Sequence, residues 1–189
     1  MDNYSELLSS KNGVVTLRDF EGRKVIGKGA DGSVIQLTED RCIKIFEKEQ
    51  TKNLELEAFQ VGQQSSIIPR LYEHGKNFIV MEYISGISLP QLLKKEKRIS
   101  EVVVRKILYM LEEMKRIGFL RCDTEVRHIL FNENMDIKVI DLKRAFGSSR
   151  SIPTKLLKGI AKKADLKEFM GHLNDIDPGL YREWTRALK

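Results

Sequence analysis

The chain has 189 residues, 41% of them hydrophobic and 32% charged, the balance of a globular protein with room for one large domain or two small lobes. Its apolar runs are too short to span a bilayer, its opening MDNYSELLSSKNG lacks the apolar core of a secretory signal, and Cys42 and Cys122 have no metal-ligand spacing, which together point to a cytoplasmic protein with no membrane span. The formal net charge of +6 arises after Leu142, where residues 143–189 hold 11 Lys and Arg against 5 Asp and Glu; this basic stretch suits a nucleic-acid or acidic partner, or simply a solvated lysine-rich helix face.

In chain order, residues 1–13 read as a peripheral lead-in. VVTL and KVI are strand-like and lead into a glycine loop. SVIQL and RCIKIF follow as strands around the turn Thr38-Glu39-Asp40, so the front of the chain is an antiparallel meander. Residues 47–64 are charged, with Leu54, Ala58 and Val61 at helical spacing. Ile67–Tyr72 and Phe78–Tyr83 are two further strands, and Ser85-Gly86 breaks the chain. Ser88 is a cap for a short helix with Pro90 in its first turn. Ser100 caps a longer helix running through Ile117, with Val103, Ile107, Leu111 and Met114 on one stripe and Gly118 ending it. Short strands at 129–131 and 137–140 flank a polar turn, and two helices are expected over 154–173 and 178–188. The order predicts an α+β fold of two lobes, a β-rich half over 1–84 and a mostly helical half over 85–189.

The glycine loop, VIGKGADGSVIQL, contains G-x-G-x-x-G. No Lys-Ser or Lys-Thr follows Gly32, so a Walker-type P-loop is excluded. A dinucleotide-binding turn requires the last glycine to open a helix, but Ser33–Leu37 is β-branched and apolar and continues as a strand. What remains is a hairpin that covers a nucleotide, with Gly27, Gly29, Gly32 and Val34 in the G-x-G-x-x-G-x-V spacing. One strand later, Lys44 stands between Ile43 and Ile45, where strand alternation puts it on the face of Cys42 and Phe46. An ammonium there is suited to phosphate oxygens. Its anionic partner belongs to the following helix: Glu55, with Ala58 and Phe59 three and four residues on, is preferred, and Glu57 is the alternative.

Residues 20–146 carry these features in an order that resembles the protein kinase superfamily, and the short chain is similar to small atypical kinases of the RIO type and related bacterial kinase-like proteins. The resemblance implies a two-lobed kinase-like fold. It implies that FIVMEYISG is the hinge segment, with Met81 beside the adenine pocket and backbone groups of Glu82, Tyr83 and Ile84 at the adenine edge. It aligns Asp123 with the residue that accepts the substrate hydroxyl's proton, and Asp141, 18 residues on, with the metal ligand. Four positions depart from the pattern. Arg121 and Cys122 replace the usual His-Arg pair. Glu125 stands where typical kinases place a lysine near the transferring phosphate. His128 replaces the asparagine that holds a second metal, and imidazole suits Mn2+ or Zn2+ better than Mg2+; Asp141 and His128 are the candidate metal ligands.

The implied function is ATP-dependent phosphoryl transfer, with Mg2+ or Mn2+, to a serine or threonine of a protein or to a small hydroxyl compound. The alternative is a non-catalytic kinase-like module that binds nucleotide or a partner. Glu125 and His128 favour the module; Lys44, Asp123 and Asp141 favour catalysis.

Overall fold

A computed structural model describes residues 3–147, 149 and 152–187. The chain divides into two compact units, Met1–Ser85 with Asp141–Arg144, and Gly86–Ile140 with Ala145–Lys189. The short segment after residue 140 thus returns to the first unit, which a division of the sequence at residue 84 does not express. The fold is α+β, with a β-rich first unit and a mostly helical second one. Among the described residues no helix is long and apolar enough to cross a membrane.

The first unit holds a helix α1 (Asn3–Ser10), the strands β1 (Val25–Gly29), β2 (Gly32–Gln36) and β3 (Arg41–Phe46), the helix α2 (Glu49–Gly62), and the strands β4 (Leu71–His74) and β5 (Phe78–Glu82). The strands form one antiparallel sheet in the order β1-β2-β3-β5-β4. Strand alternation sends Ile43 and Ile45 of β3 into a core with Ile35, Leu37, Phe78 and Val80. Tyr4 and Leu8 of α1 complete that core, so the expected peripheral lead-in is instead a helix packed on the sheet. VVTL does not form a strand either. Thr16 donates to Asp19 from its N–H at 2.7 Å and its hydroxyl at 2.9 Å, which turns the chain into a short 3₁₀ segment at Leu17–Phe20.

On the other side, α2 packs Leu56, Ala58 and Phe59 inward together with Lys52 and Glu55. Leu54 and Val61 are exposed, so the stripe expected from apolar spacing is rotated: the true face runs through two charged residues that a count of apolar positions passes over. Ile67 and Ile68 are buried ahead of β4 in a turn rather than in a strand.

The second unit opens with β6 (Gly86–Ser88), a strand the sequence reading treated as a break. It pairs with β7 (Ile129–Asn132), which pairs with β8 (Ile137–Val139), all antiparallel. Gly86 is there because a Cβ would lie 1.9 Å from the carbonyl oxygen of Phe131. α3 (Leu89–Glu96) starts at Ser88, whose N–H donates to Gln91 Oε1 at 2.8 Å. α4 (Glu101–Arg116) is capped by Ser100, which accepts from the Val103 N–H at 3.4 Å. Val103, Ile107, Leu111 and Met114 lie on its buried face as their spacing predicts, and Gly118 follows with φ +88°.

The expected helix over 154–173 is two helices, α5 (Thr154–Ala161) and α6 (Leu166–Ile176). Asp165 divides them: its carboxylate accepts the Lys167 N–H at 2.8 Å and starts a new helix. α7 (Pro178–Ala187) follows and stacks Trp184 on Phe169 of α6 at 6.4 Å.

Candidate functional site

Gly27, Gly29 and Gly32 lie on the β1–β2 hairpin, with Gly29 opposite Gly32 and Gly27 opposite Val34. Gly32 is demanded by the sheet itself. Its φ is +142°, and a Cβ would come within 1.9 Å of the Ile45 carbonyl oxygen. Gly29 is different: nothing lies within 4 Å of its Cβ position, so packing among the described residues gives no reason for a glycine there.

Val34 pairs across the sheet with Lys44. The Lys44 ammonium is 2.6 Å from Glu55 Oε2, and both side chains are largely buried, at 12% and 2% exposed. It also sits over the Phe46 ring at 4.7 Å and 3.8 Å from Asp141 Oδ1. Burial pushes the Glu55 carboxyl above its ordinary range, more strongly than the adjacent Lys44 ammonium pulls it down. Glu57, the alternative partner, is exposed.

Asp141 has a left-handed backbone, φ +60°, a conformation that aspartate tolerates better than most side chains. Lys143, two residues on, is 3.3 Å from Asp141 Oδ1 and also meets the carboxylate of Asp31 at the hairpin tip. Lys143 is raised above its usual lysine value: burial works against its charge, and Asp31 and Asp141 outweigh burial. Sequence reasoning missed Asp31, which reads there as an ordinary turn residue between glycines.

At the hinge segment, Met81 is buried and Glu82, Tyr83 and Ile84 are half-buried. The Glu82 N–H donates to Arg70 O and the Tyr83 N–H to Asp40 O, both at 2.8 Å. Two of the backbone donors expected at the adenine edge are therefore engaged within the protein. Cys42 is buried beside the Glu82 carbonyl, and its thiol is pushed up to about 12, first by burial and then by the Glu82 charge.

In the second unit, Asp123 is only 5% exposed. Its carboxylate accepts the N–H of Lys155 at 2.7 Å, the N–H of Leu156 at 3.4 Å and the hydroxyl of Thr154 at 3.3 Å. Pro153 precedes α5 and supplies no side-chain cap; Asp123 fills that role from 30 or so positions earlier in the chain, a charge-favourable contact with a helix N-terminus. Glu125 is held below the ordinary carboxyl range: burial pushes it up, but Arg127, His128 and Lys155 together prevail. Arg127 Nε is 2.9 Å away and Lys155 Nζ 3.5 Å. The charge of Glu125 is thus partly offset by its own neighbours. His128 is half-buried at the end of the 3₁₀ turn Val126–His128, and its carbonyl accepts the Ile140 N–H at 3.0 Å.

The structure brings Lys44, Glu55 and Asp141 together in the first unit, while Asp123 and His128 belong to the second. Among the described residues no three His, Cys, Asp or Glu side chains form a metal-holding group. That fits a nucleotide-bound divalent cation, which takes one or two carboxylates and fills the rest of its sphere with phosphate and water. Asp141 would supply one such carboxylate.

A family model described as the ABC1 atypical kinase-like domain matches residues 45–164. The match contains Glu55, Asp123, His128 and Asp141 and begins one residue after Lys44. The Bacillus subtilis (strain 168) protein named "Putative serine/threonine-protein kinase YrzF" is 31% identical over 125 residues, covering 64% of this chain and 58% of that protein. The Pneumocystis carinii "Serine/threonine-protein kinase CBK1" is 26% identical over 163 residues, covering 76% of this chain and 32% of that protein. A solved structure of WbdD with the kinase inhibitor LY294002 aligns with a TM-score of 0.48 and 20% identity, over 61% of this chain and 31% of the other. The chain therefore spans less than two thirds of the length of each of these relatives.

Proposed function

Because this chain belongs to the family of ABC1 atypical kinase-like domains, we propose that it transfers a phosphoryl group from ATP to a serine or threonine hydroxyl of a protein. The observation that carries the reading is the buried Lys44–Glu55 pair with Asp141 Oδ1 3.8 Å from the same ammonium. A largely buried lysine held by one acid and facing a second is a preorganised anion site with its countercharges in place. The hairpin of Gly27, Gly29 and Gly32 covers the phosphates. Met81 borders the adenine ring, and the edge is read by backbone near Ile84, since the Glu82 and Tyr83 N–H groups are engaged. Asp141 holds a divalent cation, Mg2+ or Mn2+, which when bound neutralises charge on the phosphate oxygens. Asp123 orients the acceptor hydroxyl and takes its proton.

The engagement of Asp123 by α5 favours a second reading, a module that binds nucleotide without transferring it. Three hydrogen bonds already satisfy its carboxylate, and a base must have a lone pair free for the acceptor proton.

Labelled-ATP transfer, assayed with Mg2+ and with Mn2+, separates the two. Phosphoryl transfer falls by about 100-fold or more in Lys44→Ala and in Asp123→Asn, the scale typical of lost electrostatic and acid–base contributions. Asparagine keeps an acceptor for the α5 N–H groups, so the variant tests the proton and not the cap. Transfer that persists in Asp123→Asn overturns the base assignment. ATP binding with no transfer in the wild type supports the module.

A further inference from the structure

At the tip of the glycine hairpin, the Asp31 carboxylate holds the Lys143 ammonium. That ammonium is also 3.3 Å from Asp141 Oδ1, the same oxygen that lies 3.8 Å from Lys44. The contact is partly shielded, with the Lys143 side chain 20% exposed and that of Asp31 30%. Three carboxylates, Asp31, Glu55 and Asp141, therefore surround two ammoniums, Lys44 and Lys143, in one cluster of the first unit. Glu55 and Asp141 are placed by a helix face and by the strand leading to Asp141. Asp31 stands apart because it sits in the turn between Gly29 and Gly32, on the element with the most backbone freedom in the cluster.

A carboxylate and a phosphate oxygen are the same kind of partner for an ammonium. We propose that Lys143 is a second phosphate-binding cation beside Lys44, and that Asp31 is a built-in anion which occupies Lys143 until a nucleotide triphosphate displaces it. The inference rests on the nucleotide-binding reading above. With Asp31 on it, Lys143 contributes no net charge. With Asp31 released, it adds one positive charge beside Asp141. It also ties the hairpin tip to the Asp141 segment in the free protein.

The test measures binding of a non-hydrolysable ATP analogue by calorimetry and amide hydrogen exchange of residues 27–34 in the nucleotide-free protein. Asp31→Asn binds the analogue about 3- to 10-fold more tightly, because a competing anion is gone. Lys143→Met binds about 10-fold more weakly, and Lys143→Arg, which keeps the cation, stays within about 2-fold of the wild type. The double variant Asp31→Asn/Lys143→Met matches Lys143→Met alone, since Asp31 acts only through Lys143. Hairpin exchange quickens in Asp31→Asn and in Lys143→Met. Equal binding by the wild type and all variants overturns the proposal and leaves the nucleotide reading intact, and so does an Asp31→Asn gain that persists in the Lys143→Met background. Absence of binding by every one of these proteins overturns the nucleotide reading and the proposal with it.

Discussion

Single side chains in this protein serve the fold and, in the function proposed, the chemistry, and Asp19 shows the first use plainly. Its carboxylate accepts two bonds from Thr16 and lies 2.6 Å from Lys11. The Lys11 contact, then the Thr16 bonds, lower it to about 2 from the ordinary 3.8. A depressed acid stabilises the fold in its charged form. The contribution is complete above the unfolded value and disappears as pH falls through the folded one. Asp19→Asn therefore lowers stability at neutral pH by about 1 kcal/mol, the scale of a lost cap. Urea denaturation finds the gap between variant and wild type closing between pH 4 and pH 2; a gap of constant size across that range contradicts the assignment. In the function proposed, Lys44 and Asp123 show the second use. Each was legible from its place in a motif. What no motif conveys is that Asp123 also caps α5, because the cap joins residues far apart in the chain.

At the scale of elements, periodicity located α4 well, since its stripe is wholly apolar and its cap is a serine. It misplaced the face of α2 because the buried side of that helix includes Lys52 and Glu55. The burial of Glu55 follows from its pairing with Lys44 on the neighbouring strand, a tertiary fact. β6 was missed for a related reason. Three residues beginning with glycine carry no strand signal of their own, and only the carbonyl of Phe131 makes Gly86 necessary. Gly86→Ala is expected to cost at least about 2 kcal/mol, because a Cβ meeting a backbone oxygen cannot be relieved by a rotamer change. The urea midpoint measures it. A midpoint equal to that of the wild type would mean that β6 yields without loss and does not hold β7 in place.

For the molecule as a whole, each unit has a core of its own and one buried thiol, Cys42 in the first and Cys122 in the second. Burial raises both thiols and leaves little thiolate for reaction. Labelling of Cys42 is thus a clock for opening of the first unit. α1 contributes Tyr4 and Leu8 to that unit's core. Leu8→Ala removes buried methyl groups and costs about 2–4 kcal/mol, so Cys42 reacts at least about 10-fold faster with a thiol reagent. An unchanged rate would return α1 to the peripheral status expected from its composition. The basic excess of the C-terminal quarter is drawn partly into ion pairs, Lys143 with Asp31 and Asp141, and Lys155 with Glu125.

The sequence alone determined the class of the fold, the strand–loop–strand character of the glycine segment and the ranking of Glu55 over Glu57, because these depend on local spacing and on which side chains alternate or recur along a single element. Tertiary structure alone decided that the first residues form a core helix, that Asp31 holds Lys143, and that Asp123 caps α5. Each joins groups remote along the chain, and such contacts are chosen by burial and charge balance, which local pattern does not encode.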